Sequence, residues 1–95
     1  IGGSIDFIKI DVEGNEMSVI KGGLNVIKRF KPILIIEIVD SHLRKCGSSP
    51  FEIIHLLQSI DYKVTNPSNK EIISTDYKFT EMMDIIAYPL KPLIK

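Results

Sequence analysis

Ile5-Asp6-Phe7-Ile8-Lys9-Ile10-Asp11-Val12-Glu13-Gly14-Asn15-Glu16 is the stretch that decides the fold. Ile5 to Val12 is a near-continuous apolar run, the pattern of a strand buried on both faces. It ends in acidic residues and a glycine. Asn15 and Glu16 then suit a helix start, Asn as a cap and Glu as a complement to the helix dipole. In open α/β sheets ligands bind outside the carboxyl ends of parallel strands, so this edge is where chemistry is expected. No glycine-rich turn precedes the strand in this chain.

Working outward, Met17, Ile20, Leu24 and Ile27 recur at helical spacing and form a core-facing stripe. Gly22-Gly23 interrupts it, which predicts two short helical pieces or a kinked one. Pro32 ends the segment, and Lys28, Arg29 and Lys31 complement a helix C-terminus. Ile33 to Val39 reads as a second buried strand whose only charge is Glu37. Asp40 to Ser48 reads as a loop. Ser49-Pro50-Phe51-Glu52 is a strong helix start, with Ser as N-cap, Pro at the first helical position and Glu closing a capping box. Phe51, Ile54, Leu57 and Ile60 continue inward from it.

Asp61 falls where that helix stops, and Tyr62-Lys63-Val64 opens another strand. Asn66 to Lys70 has turn composition. Glu71 to Thr75 reads as a short strand, Asp76 to Met83 as loop, and Asp84 to Tyr88 as a last apolar strand ended by Pro89. The order β-α-β-α-β-(β)-β, with helices as crossovers, predicts an α/β fold, doubly wound over its parallel part.

The 95 residues fit one small domain with a single core. Lys plus Arg and Asp plus Glu each number 12, so the chain is neutral. Neutrality argues against a general nucleic-acid surface, which needs a basic excess. Cys46 stands alone, so no internal disulfide is possible and a cytoplasmic setting is expected. Its thiol reads as an incidental loop group. No apolar run reaches membrane-spanning length and no signal-peptide pattern opens the chain. Ile1 in place of methionine points to an excised or processed piece, or to further residues before it.

On a regular strand Phe7, Lys9, Asp11 and Glu13 share one face, successive members about 7 Å apart. If Pro32 starts the second strand, Glu37 lies near its C-terminal end, beside Asp11 on a parallel neighbour. The expected result is Asp11, Glu13 and Glu37 at one sheet edge with Lys9 beneath. Such a group can hold a hard cation, act as a general base, or favour a cationic ligand. It can equally be a buried ion network of Lys9, Asp11 and Glu37, with Glu13 merely starting a turn. The residues alone leave both open. Local physics explains Glu16 by the helix dipole. His42 sits in the expected loop at the same edge, and a histidine there is a base, a ligand or a solvated side chain. His55 reads as a surface or boundary residue. The chain has no Ser-His-Asp order, no paired-cysteine metal spacing and no phosphate-cradling glycine loop.

IDFIKIDVEGNEMSVIKGG followed by KRFKPILIIEI resembles the FkbM-type methyltransferases. Their pattern is a strand reading roughly I-K-I-D-V-E-G-x-E, a helix, an L/I-K-G step, a proline and a strand ending in Glu. Lys9, Asp11, Glu13, Gly14, Glu16, Gly22, Pro32 and Glu37 match it. Tyr62-Lys63-Val64 resembles the Gly-Tyr start of a later strand, with Asp61 in place of Gly. Asp tolerates left-handed geometry better than most residues.

The resemblance implies part of a Rossmann-like class I methyltransferase domain that uses S-adenosylmethionine. Transfer is usually to a hydroxyl of a sugar or small metabolite. The full sheet has the order 3-2-1-4-5-7-6, and this chain would supply strands 4-5-7-6, with strand 7 antiparallel. Residues 1–95 are then a single partial domain lacking the N-terminal cofactor-binding half. Asp11, Glu13 and Glu37 become the implied catalytic residues, with Asp11 and Gly14 beside the cofactor. Lys9, Glu16 and His42 fall on the substrate side, and no metal is implied.

Two rival expectations stand beside the enzyme. The first is a truncated non-catalytic module. Strand 4 normally pairs with strand 1, so its loss leaves an apolar edge along Ile5 to Val12 that calls for self-association or a partner strand. The second is a carboxylate metal site at Asp11-Val12-Glu13, on two acids only.

Overall fold

Alternation in Ile33–Val39 builds the centre of the molecule, because a strand sends successive side chains to opposite faces. This strand, β2, buries Leu34, Ile36 and Ile38 completely on one face. Ile33, Ile35, Glu37 and Val39 on the other are only half-buried. The computed structural model describes residues 6–68, 72, 73, 79 and 82–90. Around β2 lie β1 (Phe7–Ile10), α1 (Glu16–Gly22), α2 (Leu24–Phe30), α3 (Asp40–Lys45), α4 (Pro50–Ser59), β3 (Tyr62–Thr65) and β4 (Met82–Pro89).

The sheet has four strands in the order β1-β2-β4-β3. β1 and β2 are parallel, with Ile10 beside Ile36. β4 runs antiparallel between β2 and β3, pairing Leu34 with Ala87 and Val64 with Ala87. The chain therefore crosses from β2 past its neighbouring position to β3 and returns through β4. The fold is α/β with a mixed sheet, as the pattern of elements indicates.

Gly22-Gly23 does split the first crossover into two helices, since Gly23 is at once the C-cap of α1 and the N-cap of α2. Ser49 caps α4 by accepting the Glu52 N–H at 3.4 Å, with Pro50 at the first helical position. Lys28 and Arg29 occupy the last turn of α2. Lys31 goes further: its Nζ donates to the Ile60 carbonyl at 2.6 Å, satisfying the end of α4 instead. Asp61 sits at φ 67°, the left-handed stop that its side chain tolerates. Tyr62, buried beside it, donates its hydroxyl to the Pro32 carbonyl at 2.6 Å.

Four expectations need correction. Asp40–Lys45 is a helix rather than a loop, anchored by buried Leu43 and braced by Arg44 on Asp40 at 3.0 Å. β4 begins at Met82, so Met82 and Met83 are strand; pairing with Val39 and Ile38 extends it. β1 is shorter than Ile5 to Val12 and is not buried on both faces, with Phe7 61% exposed. Finally, the buried side chains of the described helices join one cluster with Ile10, Leu34, Ile36, Ile85 and Val64. Among the described residues the helices thus cover one face, giving two layers rather than a sheet wound on both.

The short strand expected over 71–75 falls largely outside the described residues. Ile72 bridges Thr65, and the Ile73 N–H donates to the Val64 carbonyl at 2.9 Å. Of the expected turn over 66–70, Asn66 to Ser68 are described, and Asn66 Oδ1 accepts the Ser68 N–H at 2.8 Å. No described helix is long and apolar enough to cross a membrane.

Candidate functional site

β1 stops at Ile10, and the chain leaves the sheet through a tight turn at Val12 to Asn15. The Asn15 N–H donates to the Val12 carbonyl at 3.3 Å. Glu13 at φ 52° and Gly14 at φ 106° both take positive φ, as a type I′ turn requires. For glutamate that conformation costs about 1–2 kcal/mol. Gly14 has a second constraint. A Cβ there would lie 2.5 Å from the His42 carbonyl oxygen, so α3 seats directly on the turn.

Glu16 stabilises the same turn from the other side. Its carboxylate is almost wholly buried, 2% exposed, and accepts the Val12 N–H at 3.0 Å and the Gly14 N–H at 2.9 Å. Helix-dipole complementation therefore explains only part of its position. Charge-assisted bonds of this kind are about twice as strong as neutral ones.

The parallel register that sets Ile10 beside Ile36 brings Asp11 beside Glu37. The two side chains are hydrogen-bonded to each other. On the other side of Glu37, directly opposite in the antiparallel register, stands Asp84. Three carboxyl groups thus line the edge across β1, β2 and β4. Burial, then the charge and hydrogen bond of Asp11, then the charges of Asp84 and Glu16, push the Glu37 carboxyl above its usual 4.5.

The expected grouping is thus modified. Asp11 and Glu37 meet. Glu13 is exposed in the turn and off the regular strand face, because alternation ends with β1. Lys9 is exposed and, among the described residues, forms no salt bridge with Asp11 or Glu37, so the expected ion network is absent there. His42 lies on α3, half-buried, and its Nδ1 has no hydrogen-bond partner among the described residues. Cys46 is exposed at the C-cap of α3.

Asp84 is the member that sequence reasoning missed. Its one signal is an acid at the start of the last apolar strand, and only the antiparallel register gives that a neighbour. Among the described residues no three His, Cys, Asp or Glu side chains converge in a way that could hold a metal ion. The arrangement suits instead the binding of a proton or the attraction of a cation. A separate open groove of about 520 Å³ lies on the helical layer, lined by Met17, Phe51, Glu52, His55, Leu56 and Ser59. None of the carboxyl row contributes to it.

Residues 1–64 match the family model described as the methyltransferase FkbM domain. No curated protein and no solved structure matches the chain.

Proposed function

This chain belongs to the FkbM methyltransferase family, and on that premise we propose that it carries the carboxylate edge of an S-adenosylmethionine-dependent O-methyltransferase. The acceptor is a hydroxyl on a sugar or small metabolite. The observation that carries this reading is the juxtaposition of Asp11 and Glu37 at the C-terminal ends of two parallel strands. β1, β2, β4 and β3 then correspond to strands 4, 5, 7 and 6 of the class I sheet. The glycine-rich turn that cradles the cofactor in such a sheet has no counterpart in residues 1–95.

S-adenosylmethionine supplies a methyl group on a positively charged sulfur. The acidic edge fits that charge, since carboxylates stabilise a neighbouring cation. Asp11, at the end of β1, faces the cofactor side with Gly14. Glu37 borders the acceptor. Its raised pKa brings it toward the working pH, where an ionised carboxylate best takes the proton that the hydroxyl loses. Asp11 orients Glu37 through their hydrogen bond. Glu13, Lys9 and His42 stand around this pair as contacts for the rest of the acceptor.

The test uses the whole protein. Glu37→Gln lowers turnover by about 10²–10⁴-fold, the usual worth of a general base. Asp11→Ala weakens S-adenosylmethionine binding or leaves it unproductive, measured by titration calorimetry beside turnover. Normal turnover in the Asp11 variant removes Asp11 from the mechanism, and normal turnover in both removes the carboxylate edge.

A second reading is favoured by the position of β1. It is the terminal strand of the sheet, with Phe7 61% exposed. A non-catalytic module that pairs this edge with a second copy or a partner strand would use the same surface.

A further inference from the structure

The buried carboxylate of Glu16 has a task that neither the helix dipole nor contact with an acceptor explains. A buried charge is costly unless its hydrogen bonds are met, and here both oxygens are engaged by backbone N–H groups of one turn. Those groups belong to Val12 and Gly14, the residues on either side of Glu13. The left-handed Glu13 is therefore held at both ends. Returning its φ from 52° to the extended region would carry at least one N–H away from the carboxylate. The opposite side of the turn is closed by α3, whose His42 carbonyl leaves no space above Gly14.

We propose that Glu16 is a positioning residue: its two-point grip on the Val12 and Gly14 amides fixes the turn, and through the turn the placement of Asp11 and Glu13. This rests on the methyltransferase reading of the edge and adds to it the residue that keeps the edge in shape. Glu16 touches neither cofactor nor acceptor in this role. Its charge also reaches Glu37, where it is among the causes that raise the carboxyl's pKa.

Substitutions separate this role from its competitors. Glu16→Asp keeps the negative charge at the start of α1 but shortens its reach by one methylene. A dipole role is satisfied by either acid. A two-point grip is not. In the full-length protein, Glu16→Asp and Glu16→Gln each lower kcat by about 10²-fold, the cost of a misplacement near 1 Å. Glu16→Gln also shifts the acid limb of the rate profile to lower pH, because removing a negative charge lowers the Glu37 pKa. Amide hydrogen exchange at Val12 and Gly14 accelerates in both variants.

Wild-type kcat in Glu16→Asp overturns the proposal, as does an unmoved acid limb in Glu16→Gln. A drop in melting temperature with kcat unchanged assigns Glu16 to stability alone and overturns it too. An inactive wild-type protein overturns the underlying methyltransferase reading. The exchange measurement then stands by itself, and unchanged exchange at Val12 and Gly14 removes the grip.

Discussion

Glu37 departs from its ordinary chemistry, and the departure has a consequence for stability. Its folded pKa is raised, so between the ordinary value of 4.5 and the folded value the native chain binds more protons than the unfolded one. Stability is therefore full below 4.5 and falls as pH rises through the folded pKa. Glu37→Gln copies the protonated form. It raises the melting temperature at pH 7 and has no effect near pH 4, a difference that calorimetry at the two pH values reads directly. A variant that gains stability while losing turnover fits a residue kept for chemistry. Equal stability at pH 7 would show that the Asp11 and Asp84 charges do not bear on Glu37. The pairing of Asp11 with Glu37 was legible from the chain, because parallel strands carry their ends to one edge. Asp84 was not, because its partner depends on a register between distant segments.

At the scale of elements, the turn and α3 form one unit. Gly14 lies at φ 106° with the His42 carbonyl against it, so any side chain there meets both a forbidden backbone and a filled space. Gly14→Ala destabilises the protein by about 2–5 kcal/mol, the sum of a left-handed alanine and local overpacking. Denaturant titration measures it, and a loss under 1 kcal/mol would mean that α3 moves away freely. The sequence places a glycine after Glu13 but does not show what crowds it. α3 itself was unreadable. Six residues with one buried apolar side chain, Leu43, make no periodic signal, and the helix exists because Leu43 finds the core. By contrast α4 announced itself through Ser49-Pro50, since caps act within a single turn.

At the scale of the molecule, one face and one edge of the sheet differ from the rest. Phe7, Ile35, Ile86 and Tyr88 lie away from the helical layer, half-buried or exposed. Among the described residues, β1 has no strand on its outer side. An apolar edge of this kind invites pairing. The isolated chain is expected to self-associate in sedimentation at high concentration, and Phe7→Lys shifts it toward monomer by placing a charge on that edge. A wild-type chain that stays monomeric throughout would dismiss edge pairing. The expectation of strands buried on both faces came from apolar runs, which state what a strand can bury. They do not state what is present to cover it.

The sequence by itself determined where the four strands lie, though not the ends of β1 and β4, and with them the split first crossover, the cap of α4 and the meeting of Asp11 with Glu37, because each follows from local pattern or parallel neighbours. The family pattern also lies within one stretch of chain, which is why residues 1–64 carry it. Only the tertiary structure decided that β4 returns between β2 and β3, that Asp84 joins the carboxyl row, and that Glu16 grips the turn before it. The first two depend on register between distant segments, and the third on the burial that turns the Glu16 carboxylate back onto its own turn; these arise only once the chain is packed.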